Sequence, residues 1–198
     1  MNITPAMVKE LRIKTGAGMM DCKEAMIAAD GDFDKAVDYL RKKGMSAATK
    51  RSSKAAKEGT IGYYIHMGGK IGVLVEINCE TDFVARTDEF QVLAKDLAMH
   101  IAALNPSYVK PDDIPPNVLD REKEIYRTQA LTEGKPEKIL DKIIEGKLKK
   151  YYEDVCLLEQ KFVKNTDVTI GTLVNNMIAR TGENIIVRRF TRLLLGED

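Results

Sequence analysis

The spacing of apolar positions predicts three short helices in the first 43 residues. Breaks at 16–18 and 31–32 contain the glycines that separate these helices. The apolar positions of the second and third helices are Cys22, Ala25, Met26 and Ala29, and then Phe33, Ala36, Val37 and Leu40. Thr4 and Pro5 suit the start of the first helix, because a threonine hydroxyl caps a free amide and proline lacks one. Residues 1–43 are therefore predicted to form a three-helix bundle.

From Thr60 the apolar positions alternate with a period of two. The alternating runs at 61–65 and 71–77 flank Gly68-Gly69, which predicts a β-hairpin. A helix is predicted to follow and to pack on the sheet through Phe90, Leu93, Leu97, Ile101 and Leu104. The β-rich run at 184–195 is predicted to add a strand to the same sheet.

The region between the first helix of the core and the last strand is predicted to be helical. Four of the six prolines fall within 105–116, which indicates a subdomain boundary. Helical spacing at 118–132 and 136–154, joined by Glu133-Gly134-Lys135, predicts a helical hairpin, and a further helix is expected at 169–181. The fold class is α+β. The predicted parts are a bundle at 1–43, a basic linker at 44–58, a core sheet and helix at 59–115, the hairpin at 116–155 and the rest of the core at 156–198.

Charge and composition narrow the functional classes. The 198 residues carry 31 basic and 30 acidic side chains, so the net charge of +1 does not favour a nucleic-acid or membrane partner. Seven Lys and Arg lie between 41 and 57 with no acid, but no aromatic residue stands among them for base stacking, which favours a solvated tether. The chain start resembles no signal peptide, so we expect a cytoplasmic protein that contacts neither nucleic acid nor a membrane directly.

Residues that would indicate an enzyme are sparse. The three cysteines form no CxxC pair, and the sequence contains neither G-x-S-x-G nor a phosphate-binding glycine loop. Cys79 is a candidate thiol nucleophile with His66 one strand away, and Glu80 and Asp82 lack any further hydrolase motif. The sequence predicts a binding protein that is not an enzyme and uses no metal or cofactor.

The connection between the hairpin and the following helix is unusual, because Asp82 and the large apolar Phe83 are adjacent in it. Two interpretations are open at this point. In one, a residue of this connection caps a turn and Phe83 folds into the core. In the other, the pair forms an exposed wedge with a charged tip that binds another protein.

Five sequence motifs resemble those of bacterial elongation factor Ts, in the short form of that family. The motifs are LRIKTGAGMMDCK at 11–23, NCETDFVA at 78–85, AMHIA at 98–102, EGKP at 133–136 and GENI at 182–185. The resemblance covers nearly the whole chain. It implies a guanine-nucleotide exchange factor that binds elongation factor Tu in its GDP-bound and nucleotide-free states.

The resemblance also implies which residues contact the partner. The bundle is expected to be ubiquitin-associated-like and to dock on the nucleotide-binding domain through Gly16, Met19 and Met20. The intruding element, which would disturb the Mg²⁺ and phosphate contacts of GDP, is formed by Thr81, Asp82, Phe83 and Val84. This favours the exposed interpretation of Phe83. His66 is a weaker match to a core position that faces the partner.

Two departures from longer family members bear on assembly. Those members carry two similar sheet halves, whereas this chain has material for one, so we expect a homodimer that rebuilds the doubled core across a two-fold axis. Lys161 stands where relatives often have proline, so the geometry of that turn does not follow from the resemblance.

The rival functions are an RNA- or ribosome-binding translation accessory protein that uses the basic tether, a peptide adaptor that uses only the bundle, and a thiol enzyme.

Overall fold

The computed structural model describes residues 3–197 and divides into two compact units. One unit contains residues up to 102 together with those from 171 onward, and the other contains 103–170. The predicted bundle begins at Met1 and the predicted last part of the core ends at Asp198, and both of these residues lie outside the described range. The α+β fold class is confirmed. Among the described residues, no helix is long and apolar enough to cross a membrane.

The chain begins with a bundle of three helices: α1 (Pro5–Thr15), α2 (Met19–Ala28) and α3 (Phe33–Arg51). Side chains cap two of them, because Thr4 Oγ1 accepts a hydrogen bond from the Met7 amide at 3.4 Å and Asp32 Oδ1 accepts one from the Lys35 amide at 3.0 Å. The fully buried side chains at the centre are Leu11, Cys22, Ala25, Met26 and Ala36. The predicted bundle is confirmed as to its three helices.

Helix α3 continues beyond the position where the sequence suggested a linker. It runs through Gly44 to Arg51, because residues 45–51 contain neither glycine nor proline and include two alanines. Gly44 is buried, and the Asn176 side-chain oxygen lies 3.4 Å from where a Cβ would stand. Gly44 therefore permits close packing instead of ending the helix.

Three antiparallel strands form the sheet of the first unit: β1 (Glu58–Ile65), β2 (Ile71–Cys79) and β5 (Ile186–Leu194), in the order β1-β2-β5. Gly62 pairs with Val75, which pairs with Phe190, and the register shifts between Glu76 and Ile77. The predicted hairpin and the added last strand are both confirmed.

The two faces of this sheet differ. Val73, Val75 and Ile77 of β2 are buried on the inner face. The helix that follows, α5 (Asp88–Leu104), approaches β1 so closely that a Cβ on Gly62 would stand 2.7 Å from the Ala94 carbonyl oxygen. Four of the predicted core residues of α5 are buried, namely Phe90, Leu93, Leu97 and Ile101. Leu104 is exposed instead, because it is the last residue of the helix.

The outer face of the sheet carries a group of exposed apolar side chains. Its residues alternate with the buried ones along each strand, so that they share one side. They are Ile61, Tyr63, Ile65, Leu74 and Leu193, each more than half exposed.

The second unit holds the predicted helical hairpin. Its helices are α6 (Pro116–Thr132) and α7 (Leu140–Val155), and Lys147 of α7 donates a hydrogen bond to Gln129 of α6 at 2.9 Å. A short hairpin of β3 (Lys161–Phe162) and β4 (Asn165–Thr169) follows. Lys161 lies in β3 and pairs with Thr169. Helix α8 (Ile170–Thr181) then leads back to the first unit and to β5.

Candidate functional site

Residues 81–84, called the 81–84 segment below, form a tight turn between β2 and α5. Asp82 opens the one-turn helix α4 (Asp82–Ala85), and Thr81 stands before it in an extended conformation with φ −128° and ψ 153°. The Thr81 hydroxyl accepts a hydrogen bond from the Val84 amide at 3.4 Å. Ala85 is buried against the core, so the turn has one side anchored.

Phe83 points away from the core. Its side chain is 80% exposed, whereas Val84 next to it is half-buried. The interpretation that folds Phe83 into the core is therefore wrong. Asp82 is partly exposed and pairs with Arg86, with 2.8 Å between Oδ2 and Nη2. The free protein thus presents an uncovered phenyl ring beside a carboxylate that already has a cation.

Two acidic side chains hold the start of α4, and the sequence did not indicate this role for either. Glu183 accepts hydrogen bonds from the amides of Glu80 and Thr81, both at 3.1 Å, and from the Thr81 hydroxyl at 2.6 Å. Glu80 in turn accepts one from the Asn184 amide at 2.6 Å. Glu183 lies in the GENI motif at 182–185, but no local sequence signal links it to Thr81, which is 102 positions earlier.

The second group of candidate residues lies between α1 and α2. Gly16 ends α1 with φ +67°, a left-handed conformation that glycine adopts readily, and donates its amide to the Arg12 carbonyl at 2.8 Å. Met19 and Met20 open α2 and are 45% and 73% exposed. Ile13, at 77% exposure, is a further uncovered apolar residue of the same bundle.

Helix α8 contacts the loop between α1 and α2 and also the first turn of α5. The Asn176 side-chain amide donates to the Thr15 carbonyl at 2.9 Å. Arg180 donates to the Gly16 carbonyl at 3.1 Å and also pairs with Glu89, in the first turn of α5. These bonds tie the loop between α1 and α2 to the helix that follows the 81–84 segment. The sequence had not singled out Asn176 or Arg180.

The structure does not bring His66 to the 81–84 segment. His66 is exposed in the hairpin turn, and Tyr64 Oη lies 3.2 Å from its Nδ1. His66 follows Ile65, which pairs with Gly72 at the turn end of the hairpin. The 81–84 segment follows Cys79, which pairs with Glu58 at the opposite end, seven residues along β2 from Gly72. At about 3.3 Å per residue this separation is roughly 23 Å.

Cys79 is fully buried, and its thiol donates a hydrogen bond to the Thr81 carbonyl at 3.1 Å. Burial, and then the negative charge of Glu183, raise the pKa of Cys79 to about 11. The thiolate that a nucleophile requires is thus scarce at neutral pH, and His66 is distant. These observations weigh against the thiol-enzyme interpretation. Within residues 3–197, no three His, Cys, Asp or Glu side chains are grouped to hold a metal ion.

The basic segment at 41–57 is partly neutralised by acids from elsewhere in the chain. Lys43 Nζ lies 2.9 Å from Asp21 and 2.6 Å from Glu24. Arg51 lies 3.8 Å from Glu80. Two of its seven cations thus have internal partners, which weakens the interpretation of this segment as a nucleic-acid surface.

Comparison with known proteins agrees with the motifs. The family model described as Elongation factor TS matches residues 22–197. Elongation factor Ts of Syntrophus aciditrophicus is 74% identical over 198 residues, covering 100% of this chain and 98% of that protein. Those of Geobacter sulfurreducens and Desulfosudis oleivorans are 58% and 56% identical, covering 100% and 98% of this chain and 91% and 98% of theirs. The chain therefore belongs to the elongation factor Ts family of translation elongation factors.

Proposed function

We propose that this chain is a guanine-nucleotide exchange factor that binds elongation factor Tu in its GDP-bound state and promotes GDP release. The observation that carries the proposal is the 80% exposure of Phe83 on a turn whose amides and hydroxyl are held by hydrogen bonds. An exposed aromatic side chain on a fixed support is typical of an interface anchor. Membership of a translation elongation factor family supports the choice of partner.

The mechanism we propose requires no covalent chemistry in this chain. A GTPase holds GDP because Mg²⁺ and backbone amides neutralise the phosphates. Insertion of Phe83 and Asp82 beside the magnesium site would disturb these contacts and lower the affinity for GDP. The chain thus acts as a binding protein and not as an enzyme, it needs no cofactor of its own, and its work on the translation machinery places it in the cytoplasm.

Energetic coupling makes this action reversible. If the chain lowers the affinity of the partner for GDP by some factor, GDP lowers the affinity of the partner for the chain by the same factor. The nucleotide-free partner therefore binds this chain most tightly, and GTP entry releases it. A second contact by the bundle, through Gly16, Met19 and Met20, would hold the partner while the nucleotide leaves.

Release of a fluorescent GDP derivative from elongation factor Tu, followed by stopped flow with excess unlabelled GDP, tests the proposal. Wild-type chain is expected to accelerate release, and the double variant Asp82→Ala/Phe83→Ala is expected to lose most of this acceleration. Equal acceleration by both would rule out the 81–84 segment as the active element. Strong, salt-dependent RNA binding without any acceleration would favour the translation accessory role instead.

We further propose that two copies of the chain form a homodimer. Support comes from the exposed apolar side chains on the outer face of the sheet, and from β1 and β5, which lie at the open edges of this three-stranded sheet. A second copy would cover both features through a two-fold axis. Sedimentation velocity at micromolar concentration should give a dimer for wild type and a monomer for Tyr63→Lys/Leu193→Lys. A wild-type monomer would refute the proposal.

A further inference from the structure

The carboxylate of Glu183 lies directly beneath the start of the 81–84 segment. One oxygen, Oε2, accepts hydrogen bonds from the backbone amides of Glu80 and Thr81, each at 3.1 Å. The other, Oε1, accepts the Thr81 hydroxyl at 2.6 Å. Hydrogen bonds to an ionised acceptor are about twice as strong as those between neutral groups. A single side chain therefore satisfies three donors at the point where the chain turns out of β2.

A second set of bonds fixes the position of Glu183 itself. Glu80 Oε1 accepts a hydrogen bond from the Asn184 amide at 2.6 Å. Glu80 and Glu183 thus each accept a backbone amide from the segment in which the other lies. The Asn184 side chain is 3% exposed and donates to the Lys54 carbonyl at 2.7 Å. The Glu183 amide donates to the Thr181 hydroxyl at the end of α8. Glu183 is thus held by the junction of α8 and β5.

Helix α4 cannot maintain its own geometry. It has four residues, whereas an isolated helix of fewer than about 12 residues is marginal in water. Ala85 is the buried residue of this helix, and Phe83 contributes little to its stability because the phenyl ring is 80% exposed. The direction of the phenyl ring therefore depends on how the first residues of the turn are held.

We propose that Glu183 is a positioning residue for nucleotide exchange: it fixes the orientation of Phe83 through Thr81. This inference rests on the proposed function. Because Glu183 acts on the free chain, its loss allows the 81–84 segment to sample other orientations before and during contact. The maximal rate of GDP release should then fall more than the affinity for the partner, to which the bundle also contributes.

A glutamine at position 183 separates geometry from charge. Its carbonyl oxygen can accept the two backbone amides, and its amide group can donate to the Thr81 hydroxyl oxygen. Glu183→Gln therefore removes the same negative charge as Glu183→Ala but keeps the turn held. Glu145→Ala, which removes an exposed glutamate of α7, is the matched control.

The test combines the GDP-release assay with thiol alkylation. Cys79 is buried and bonded to the Thr81 carbonyl, so its reaction with N-ethylmaleimide reports opening of the turn. Cys22 and Cys156 are also buried and report global unfolding. Peptide mass spectrometry resolves the three sites. Release at saturating chain gives the maximal rate, and the half-saturation concentration reports affinity.

For Glu183→Ala we expect the maximal release rate to fall about tenfold, which corresponds to about 1.4 kcal/mol. The half-saturation concentration should change less than about threefold, and alkylation should rise at Cys79 alone. These shifts follow from the loss of the three charge-assisted hydrogen bonds that Glu183 accepts. Glu183→Gln should stay within about threefold of wild type in both assays, and Glu145→Ala should match wild type.

Thr81→Val provides a second, milder variant in case Glu183→Ala does not fold, in which case all three cysteines would react. Thr81→Val should slow maximal release about threefold, both in the wild-type chain and in Glu183→Gln, because the glutamine keeps the bond that the loss of the Thr81 hydroxyl removes. Maximal release that Thr81→Val leaves unchanged would contradict the proposal.

Two failures remain distinguishable. If wild type does not accelerate GDP release, the proposed function fails and this role fails with it. If wild type accelerates release, Phe83→Ala abolishes the effect and Glu183→Ala releases GDP as fast as wild type, only the positioning role is refuted.

Discussion

Replacement of Phe83 by alanine removes an apolar ring that has almost no contacts in the free protein. The ring is 80% exposed, so its loss should change the free energy of unfolding by less than about 0.5 kcal/mol. Full burial of a phenylalanine side chain contributes about 1.5 to 3 kcal/mol. Burial of the exposed fraction in an interface would thus contribute about 1 to 2.5 kcal/mol, and its loss should lower exchange efficiency roughly 5- to 70-fold.

Exchange efficiency is the initial slope of the GDP-release rate against chain concentration. Phe83→Leu retains much of the apolar surface, so it should lie within about threefold of wild type, whereas Phe83→Ala should show the full loss. Leu131→Ala, which trims an apolar residue of α6 that is 48% exposed, is the control for a general loss of apolar surface. Thermal melting should place all four proteins within about 2 °C.

The reasoning would be refuted by either of two results. A Phe83→Ala chain that releases GDP as efficiently as wild type would show that the ring is not buried in the complex. A fall in melting temperature of 5 °C or more would show that the ring contributes to the free fold, contrary to its exposure.

Three further predictions concern other parts of the molecule. Met19→Ala/Met20→Ala should raise the half-saturation concentration for GDP release about tenfold while leaving the maximal rate unchanged, because these exposed side chains would serve docking; a fall in the maximal rate alone would contradict this. Arg180→Ala should raise the same concentration about threefold, because it frees the Gly16 carbonyl and Glu89, and Lys35→Ala should have no effect. Burial raises the pKa values of Cys79 and Cys156 from 9.0 to about 11, so the unfolded chain loses these protons first. The free energy of unfolding should therefore be insensitive to these thiols below pH 9 and fall by roughly 2 kcal/mol per thiol between pH 9 and 11, a loss that urea titrations should find reduced in Cys79→Ala/Cys156→Ala.

The helices and strands were largely predictable because their signals are local. The bundle, the β-hairpin and α5 each follow from apolar spacing and turn residues within a few positions of one another. The prediction that β5 joins the hairpin sheet was correct, because a β-rich segment needs a strand to pair with and the hairpin supplies β2. Local rules failed at Gly44, where a helix-breaking residue is tolerated because Asn176 packs against it.

The sequence by itself determined the order of the elements, the family motifs and the candidate residues of the 81–84 segment. Only the tertiary structure decided that Phe83 faces outward, that His66 lies at the far end of the hairpin, and that Glu183 holds the turn. The physical reason is the range of the interactions. Helix periodicity and capping act over three to four residues, whereas exposure and the Thr81–Glu183 bond depend on packing between segments 102 residues apart.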